Sequence, residues 1–363
     1  MGKRGAWQRV LCVFLMIGAL NCGADAVSTS AASAVLIEQT SGRVLYQQNP
    51  DEERLIASVT KIMTAVVALE HGDKDQIYTV TAKDMAEGSS MYLKPGDTLL
   101  LEELLYGLML VSGNDAALAV AHCVSGELDD FVALMNETAE ELGLTHSHFA
   151  NPNGLDAEGH YSSARDLSVL AAYALENQDF RRIVSTASVT IGERYLANHN
   201  KLLRMCEGCI GVKTGFTKAA GRTLVSAATR DGMTLVCTTL NDGDDWNDHM
   251  ALYEYGFANY HMETAVPAGR VLASALVRNG TEASVPLAAS VDLQYPLAEG
   301  ETLKIVARVP VSVSAPVVPG QVLGEVCAFL EDEEVASVDL IAAAPSAKKE
   351  DPPAPKMWWD SFF

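Results

Sequence analysis

Two kinds of hydrophobic period alternate along the first two thirds of the chain. Ala34-Val35-Leu36-Ile37 and Val44-Leu45-Tyr46 are apolar at strand length on either side of Thr40-Ser41-Gly42-Arg43, which predicts a hairpin closed by a glycine turn. From Ser58 the period lengthens: Ile62, Met63, Val66 and Leu69 recur at helical spacing. Thr98–Val111 is strongly apolar with Glu102 and Glu103 in its first turn, where the partial positive charge of a helix start favours acids. This second predicted helix stops at Ser112-Gly113-Asn114-Asp115, and Ala116–Val124 resumes helical composition. Glu127–Leu142 predicts an amphipathic helix, and Ser163-Ala164-Arg165-Asp166 a capping-box start for Leu167–Leu175. Ile210–Phe216, Thr223–Thr229 and Met233–Leu240 read as strands, the last two joined through Arg230-Asp231-Gly232.

The pattern changes near Met262. Val271–Arg278, Ser284–Leu287, Thr302–Val309 and Gln321–Leu330 are short strand-like runs broken by Asn279-Gly280, Glu299-Gly300, Pro319-Gly320 and the acidic Glu331–Glu334, which predicts a small β-sandwich over 262–341. No cluster there suggests chemistry, so spacing or docking is the expected role. Ala342–Lys356, rich in Ala, Pro and Lys, reads as a semi-extended linker. It leads to a tail with Trp358, Trp359, Phe362 and Phe363, which suits either a membrane interface or packing against the β domain and is too short to span a bilayer.

Composition narrows the setting. Residues 1–26 carry Lys3, Arg4 and Arg9, an apolar run Val10–Leu20 and then Ala24-Asp25-Ala26, the layout of a secretory signal cleaved after Ala26. The run is short for a retained anchor, and Leu20-Asn21 is a poor lead-in to lipoprotein processing at Cys22. A formal net charge of −21 repels phosphate backbones and argues against nucleic-acid binding. Cys123, Cys206, Cys209, Cys237 and Cys327 would remain after cleavage, an odd number. Cys206-Glu207-Gly208-Cys209 has disulfide or metal spacing, but a zinc site needs a second pair and none is present, so buried or incidental thiols are the simpler reading. His146 and His148 read as solvated loop residues, and Asn241–Asp248 lacks the glycine and closing glutamate of a calcium loop.

Candidate chemistry concentrates in three short segments. Ser58 and Lys61 lie one helical turn apart, so their side chains leave the same face, and a lysine held there can act as base for a serine hydroxyl if burial lowers its pKa. The same spacing at Ser346 and Lys349 falls in the charged, proline-rich tail, where nothing is expected to be buried. Ser112 and Asn114 flank a glycine between two apolar helices; they can face a cleft, or serve only as helix caps. Lys213-Thr214-Gly215 at a strand end offers a cation, a hydroxyl and a strand edge to an anionic substrate.

Ser58/Lys61, Ser112/Asn114 and Lys213/Thr214/Gly215 occur in the order of the S-x-x-K, S-x-N and K-T-G signature of penicillin-binding proteins and class A β-lactamases. Together with Gly88-Ser89-Ser90-Met91, Asn151-Pro152-Asn153-Gly154-Leu155, His160–Leu167 and Lys213-Thr214-Gly215-Phe216-Thr217, they make residues 33–257 resemble the low-molecular-mass penicillin-binding proteins, the serine D-alanyl-D-alanine carboxypeptidases of peptidase family S11. The resemblance implies a catalytic domain over 33–260 of the penicillin-binding/β-lactamase-like type, α/β plus all-α with an antiparallel sheet packed against helices, followed by the all-β sandwich. It implies Ser58 as nucleophile, Lys61 as base and Ser112 as proton relay, with Asn114 on the substrate peptide. Lys213 and Thr214 would hold the terminal carboxylate, Gly215 would line the substrate site, and the N–H groups of Ser58 and Phe216 would form the oxyanion hole. Stem peptides ending in D-Ala-D-Ala would be substrates and β-lactams inhibitors, with no metal or cofactor.

Two departures accompany the resemblance. Asp245 stands where some relatives carry a carboxylate-binding arginine, with Arg222 and Arg204 the nearest replacements, and the tail is shorter than the amphipathic anchor of other relatives. A β-lactamase would use an E-x-x-L-N element to activate deacylating water, and none lies between Asn114 and Lys213. A D,D-endopeptidase shares the same residues, and a non-catalytic wall-docking protein conflicts with the intact motifs.

Overall fold

The computed structural model describes residues 27–350. The expected signal segment and the aromatic tail with Trp358, Trp359, Phe362 and Phe363 lie outside the described residues.

The first domain opens with β1 (Ser33–Glu38) and β2 (Val44–Gln48), then α1 (Lys61–His71), β3 (Ile77–Thr79), β4 (Thr98–Leu100), α2 (Leu101–Leu110), α3 (Asn114–Ser125) and α4 (Leu128–Glu141). It continues through α5 (Ala164–Ala174), α6 (Gln178–Ser185), β5 (Ser188–Ile191), β6 (Arg194–Ala197), α7 (Leu202–Met205), β7 (Cys209–Thr217), β8 (Gly221–Arg230), β9 (Met233–Leu240) and α8 (Asp245–Asn259). Five strands form one antiparallel sheet in the order β2-β1-β9-β8-β7.

Alternation along the strands explains the layering. Val35, Ile37, Val225, Val236 and Leu240 face the core shared with α1, α2 and α3, whereas Leu36, Leu235 and Cys237 face Leu252 and Tyr253 of α8 on the other side. Both faces are covered, so β1 and β9 are buried at every position and carry apolar residues on both faces. Burying each such Val, Leu or Ile contributes about 1.5–3 kcal/mol. Gly256 lets α8 lie close, since a Cβ there would come 2.6 Å from Leu235.

Local chemistry shifts several predicted boundaries. Thr98–Leu100 pairs with Ile77–Thr79, so α2 begins only at Leu101, where the Glu103 carboxylate accepts the Leu100 N–H at 2.8 Å. At α5 only half of the predicted capping box forms: the Ser163 hydroxyl accepts the Asp166 N–H at 3.1 Å, while the Asp166 carboxylate turns to the His146 N–H and the Ser147 hydroxyl. The β5–β6 hairpin had no clear period in the sequence.

The second domain comprises β10 (Tyr260–Val266), β11 (Val271–Arg278), β12 (Ser284–Ala289), β13 (Leu293–Ala298), β14 (Leu303–Arg308), β15 (Ser312–Ser314), β16 (Val322–Leu330) and β17 (Glu333–Ala342). Six strands pair in the order β14-β16-β17-β12-β11-β15, and the β10–β13 ribbon contributes Val266 and Leu293 to their common core. The linker expected from Ala342 onward is corrected here. Ala342 ends β17 opposite Leu287, and Ser346 is buried, exchanging backbone hydrogen bonds with Val317 at 2.8 and 3.0 Å. The Lys349 N–H reaches the Asn279 carbonyl at 2.8 Å. Backbone pairing needs no apolar side chain, so composition gave no sign of it.

The domains meet at Arg43, whose guanidinium binds Glu301 at 2.6 and 2.8 Å and lies over the rings of Tyr260 and Tyr295. Among the described residues no helix is long and apolar enough to cross a membrane.

Candidate active site

Ser58 sits in a single 3-10 turn, Ala57–Thr60, and α1 starts at Lys61. Lysine at the head of a buried helix is unusual, and Lys61 is fully enclosed. Its Nζ lies 3.0 Å from Ser58 Oγ and 2.8 Å from Asn114 Oδ1, and it also contacts the Asn153 carbonyl. The Asn114 amide orientation follows from its own contacts, because Nδ2 donates to the Glu87 carbonyl at 2.6 Å and leaves Oδ1 toward the lysine.

Three oxygens surround this one nitrogen, and an ammonium would donate to each of them. Asn114 Oδ1 and the Asn153 carbonyl accept only, so an uncharged amine gives them its two N–H groups and turns its lone pair to the Ser58 hydroxyl. Burial first, and then the positive charge of Lys213, hold the Lys61 ammonium well below its ordinary pKa, while Asp115 opposes them. An amine so held can take a proton from Ser58 at neutral pH.

The loop that supplies Asn153 is braced from within. The Asn151 side chain accepts the Gly154 N–H at 2.7 Å and donates to the Leu155 carbonyl at 2.9 Å, and the Thr64 hydroxyl of α1 donates to the Pro152 carbonyl at 2.6 Å. Gly154 has φ 80, and a Cβ there would fall 2.1 Å from the Ala57 carbonyl oxygen.

Ser112 and Asn114 bracket the turn between α2 and α3. Ser112 is buried with φ 60, and its hydroxyl makes no hydrogen bond to Ser58 or Lys61 among the described residues. Asp115 fixes this turn to the preceding loop: its carboxylate accepts from the Ser90 hydroxyl at 2.6 Å and from the N–H groups of Met91 and Leu93 at 3.0 Å and Ala116 at 2.9 Å.

Strand β7 closes the other side. Gly215 runs so near the 3-10 turn that a Cβ would stand 3.0 Å from Ser58 N and 2.3 Å from Thr223 Oγ1. Lys213 is buried, donates to the Thr214 carbonyl at 2.8 Å, and is pushed down by desolvation to about 7. The Phe216 side chain is exposed, and Thr217 is tied to Asp156 at 2.9 Å. Arg222 lies directly across from Phe216 on β8, but Asp245 already binds its guanidinium at 2.7 and 2.8 Å. Cys206 and Cys209 are both free thiols.

Ser58, Lys61, Asn114 and Gly215, from three distant segments, thus meet at one junction, with Lys213 close enough to act on Lys61 electrostatically. The sequence reading missed three contributors. Asn153 acts through its backbone, which no side-chain pattern reveals; Asp115 and Thr60 could have been suspected only as polar residues beside the motifs.

A helical half and a five-stranded sheet with this junction between them, followed by an all-β domain, define the penicillin-binding-protein class of fold. The family profile described as D-alanyl-D-alanine carboxypeptidase, peptidase S11, matches residues 21–244, and that of the penicillin-binding protein 5 C-terminal domain matches residues 260–346. The chain is similar to D-alanyl-D-alanine carboxypeptidase DacF of Bacillus subtilis, 32% identical over 336 residues that cover 88% of this chain and 86% of the relative. The solved structure of penicillin-binding protein 5 from Haemophilus influenzae superposes with a TM-score of 0.76 at 29% identity, covering 90% of this chain and all of that one. The Streptomyces K15 DD-transpeptidase is similar at 35% identity, with a TM-score of 0.61 and coverage of 64% of this chain and 99% of its own. The chain belongs to the serine peptidase family S11 and is a serine-type D-alanyl-D-alanine carboxypeptidase.

Proposed function

We propose that the protein is exported and trims the terminal D-alanine from peptidoglycan stem peptides through an acyl-enzyme on Ser58, acting in cell-wall maturation. The observation that carries this reading is the three-way coordination of Lys61 by Ser58, Asn114 and Asn153 in a desolvated position. Lys61 takes the Ser58 proton as Oγ attacks the D-Ala-D-Ala carbonyl, and the N–H groups of Ser58 and Phe216 receive the developing oxyanion. Ser112 passes a proton to the departing D-alanine nitrogen. Asn114 holds the substrate peptide, and Lys213 and Thr214 hold the free carboxylate, a charge-assisted contact that only the C-terminal residue of a peptide offers. Water then releases the shortened peptide, whereas a β-lactam leaves Ser58 blocked.

Purified protein given a pentapeptide ending in D-Ala-D-Ala should release free D-alanine and become labelled by a fluorescent penicillin, and Ser58→Ala should lose both. Retained labelling in Ser58→Ala would place the nucleophile elsewhere. Penicillin turnover faster than peptide turnover would make the protein a β-lactamase.

A further inference from the structure

A second hydrogen-bonded chain ends on the peptide that carries Ser58. His160 Nδ1 accepts the Ala150 N–H at 3.0 Å, and because a backbone N–H can only donate, the ring proton must reside on Nε2. Nε2–H therefore donates to Thr60 Oγ1 at 2.7 Å, and the Thr60 hydroxyl donates onward to the Ala57 carbonyl at 2.8 Å. One fixed donor at the start sets the direction of all three bonds. His160, Thr60 and Ala57 are all buried. Desolvation, followed by the nearby His148, lowers His160 to about 4, with Asp156 opposing, so the ring is neutral at pH 7.

The Ala57 carbonyl and the Ser58 N–H are opposite ends of one peptide plane, and turning one turns the other. Ala57 has φ 50, a left-handed conformation that strains an L-residue and persists only where the surroundings enforce it. The Thr60 hydroxyl grips this carbonyl, and Gly154 passes against it without room for a side chain. A carbonyl that accepts a hydrogen bond also polarises its own peptide, which makes the N–H at the far end a better donor.

We propose that Thr60 and His160 are positioning residues that aim the Ser58 N–H at the place where the oxyanion forms. The proposal deepens the acyl-serine reading above and rests on it. Neither side chain touches substrate; both act through the Ala57–Ser58 peptide.

The test is saturation kinetics of acylation by a fluorescent penicillin on the full chain, separating the binding constant from the acylation rate, with the melting temperature followed in parallel. Thr60→Val keeps the shape and removes the hydroxyl. His160→Leu removes both ring nitrogens, whereas His160→Gln can still accept from Ala150 and donate to Thr60. Removing an oxyanion donor outright slows such reactions about 10²–10³-fold, so mis-aiming one should slow acylation about 10–100-fold in Thr60→Val and His160→Leu, with binding within about 3-fold of wild type. His160→Gln should return to within about 3-fold, and the Thr60→Val/His160→Leu double variant should be no slower than Thr60→Val, because both changes cut one chain. Wild-type acylation in Thr60→Val overturns the proposal. If Thr60→Val does not fold, equal acylation rates in His160→Leu and His160→Gln overturn it instead. Absence of label on Ser58 in the wild-type protein would sink the acyl-serine reading and this proposal together; labelled wild type with an unaffected Thr60→Val sinks the positioning role alone.

Discussion

Lys213 gives the sharpest thermodynamic prediction. It is fully buried, and desolvation lowers its pKa from 10.5 to about 7. At 1.36 kcal/mol per pKa unit, that displacement means a folded-state cost of about 5 kcal/mol for holding the ammonium below pH 7. The sign follows from proton counting. Between the folded and unfolded pKa values the unfolded chain binds the extra proton, so stability rises with pH through that window. Lys213→Met keeps the length of the side chain and removes the charge. It should raise unfolding stability at pH 6, and the advantage should shrink by about 2–3 kcal/mol between pH 7 and pH 9 as the wild-type penalty fades. Carboxylate capture should be lost at the same time, the usual exchange of stability for function at a binding site. Urea unfolding of both proteins across this range reads the effect. A stability difference that stays constant from pH 6 to pH 9 would show that Lys213 keeps an ordinary pKa in the folded protein.

Two substitutions probe the rest of the junction. Gly215→Ala would put a Cβ 2.3 Å from Thr223 Oγ1 and 3.0 Å from Ser58 N, and a displacement on the ångström scale should slow acylation about 100-fold. Adding Thr223→Ala should recover part of that loss, and no recovery would place the defect outside this contact. Asp115→Asn must turn an NH2 group toward a backbone N–H whichever way it flips, since Oδ1 accepts from Met91 and Ala116 and Oδ2 from Ser90 and Leu93. It should cost about 2–3 kcal/mol in denaturant unfolding, and an unchanged midpoint would mean that the loop is held by other contacts.

How much was legible in the sequence depended on where the information resides. The helix after Ser58 and the strands β7, β8 and β9 announced themselves because their apolar residues face cores built by distant segments. The pairing of Ser58 with Lys61 was visible from spacing alone, since one helical turn brings both side chains to one face. Spacing could not show that Lys61 is enclosed, or that the Asn153 carbonyl completes its coordination, because burial and backbone contacts depend on the whole fold. The same limit explains the tail: Ser346 through Lys349 looked like a linker and instead pairs with residues of the second domain. The polar turn at Ser112-Gly113-Asn114 suited both a cap and a site. In the structure the caps are Val111 and Gly113, no side chain caps the start of α3, and Asn114 reaches Lys61, so the cap reading fails and the cleft reading holds for Asn114.

The proposed mechanism requires Lys61 to be an uncharged amine beside Ser58, and the protonation state of that nitrogen can be observed. With ¹⁵N in the lysine side chains and the resonance assigned by its loss in Lys61→Met, the Nζ signal of the unliganded enzyme should be that of a neutral amine at pH 7.5. An ammonium signal persisting to pH 9 would rule out Lys61 as the base for Ser58.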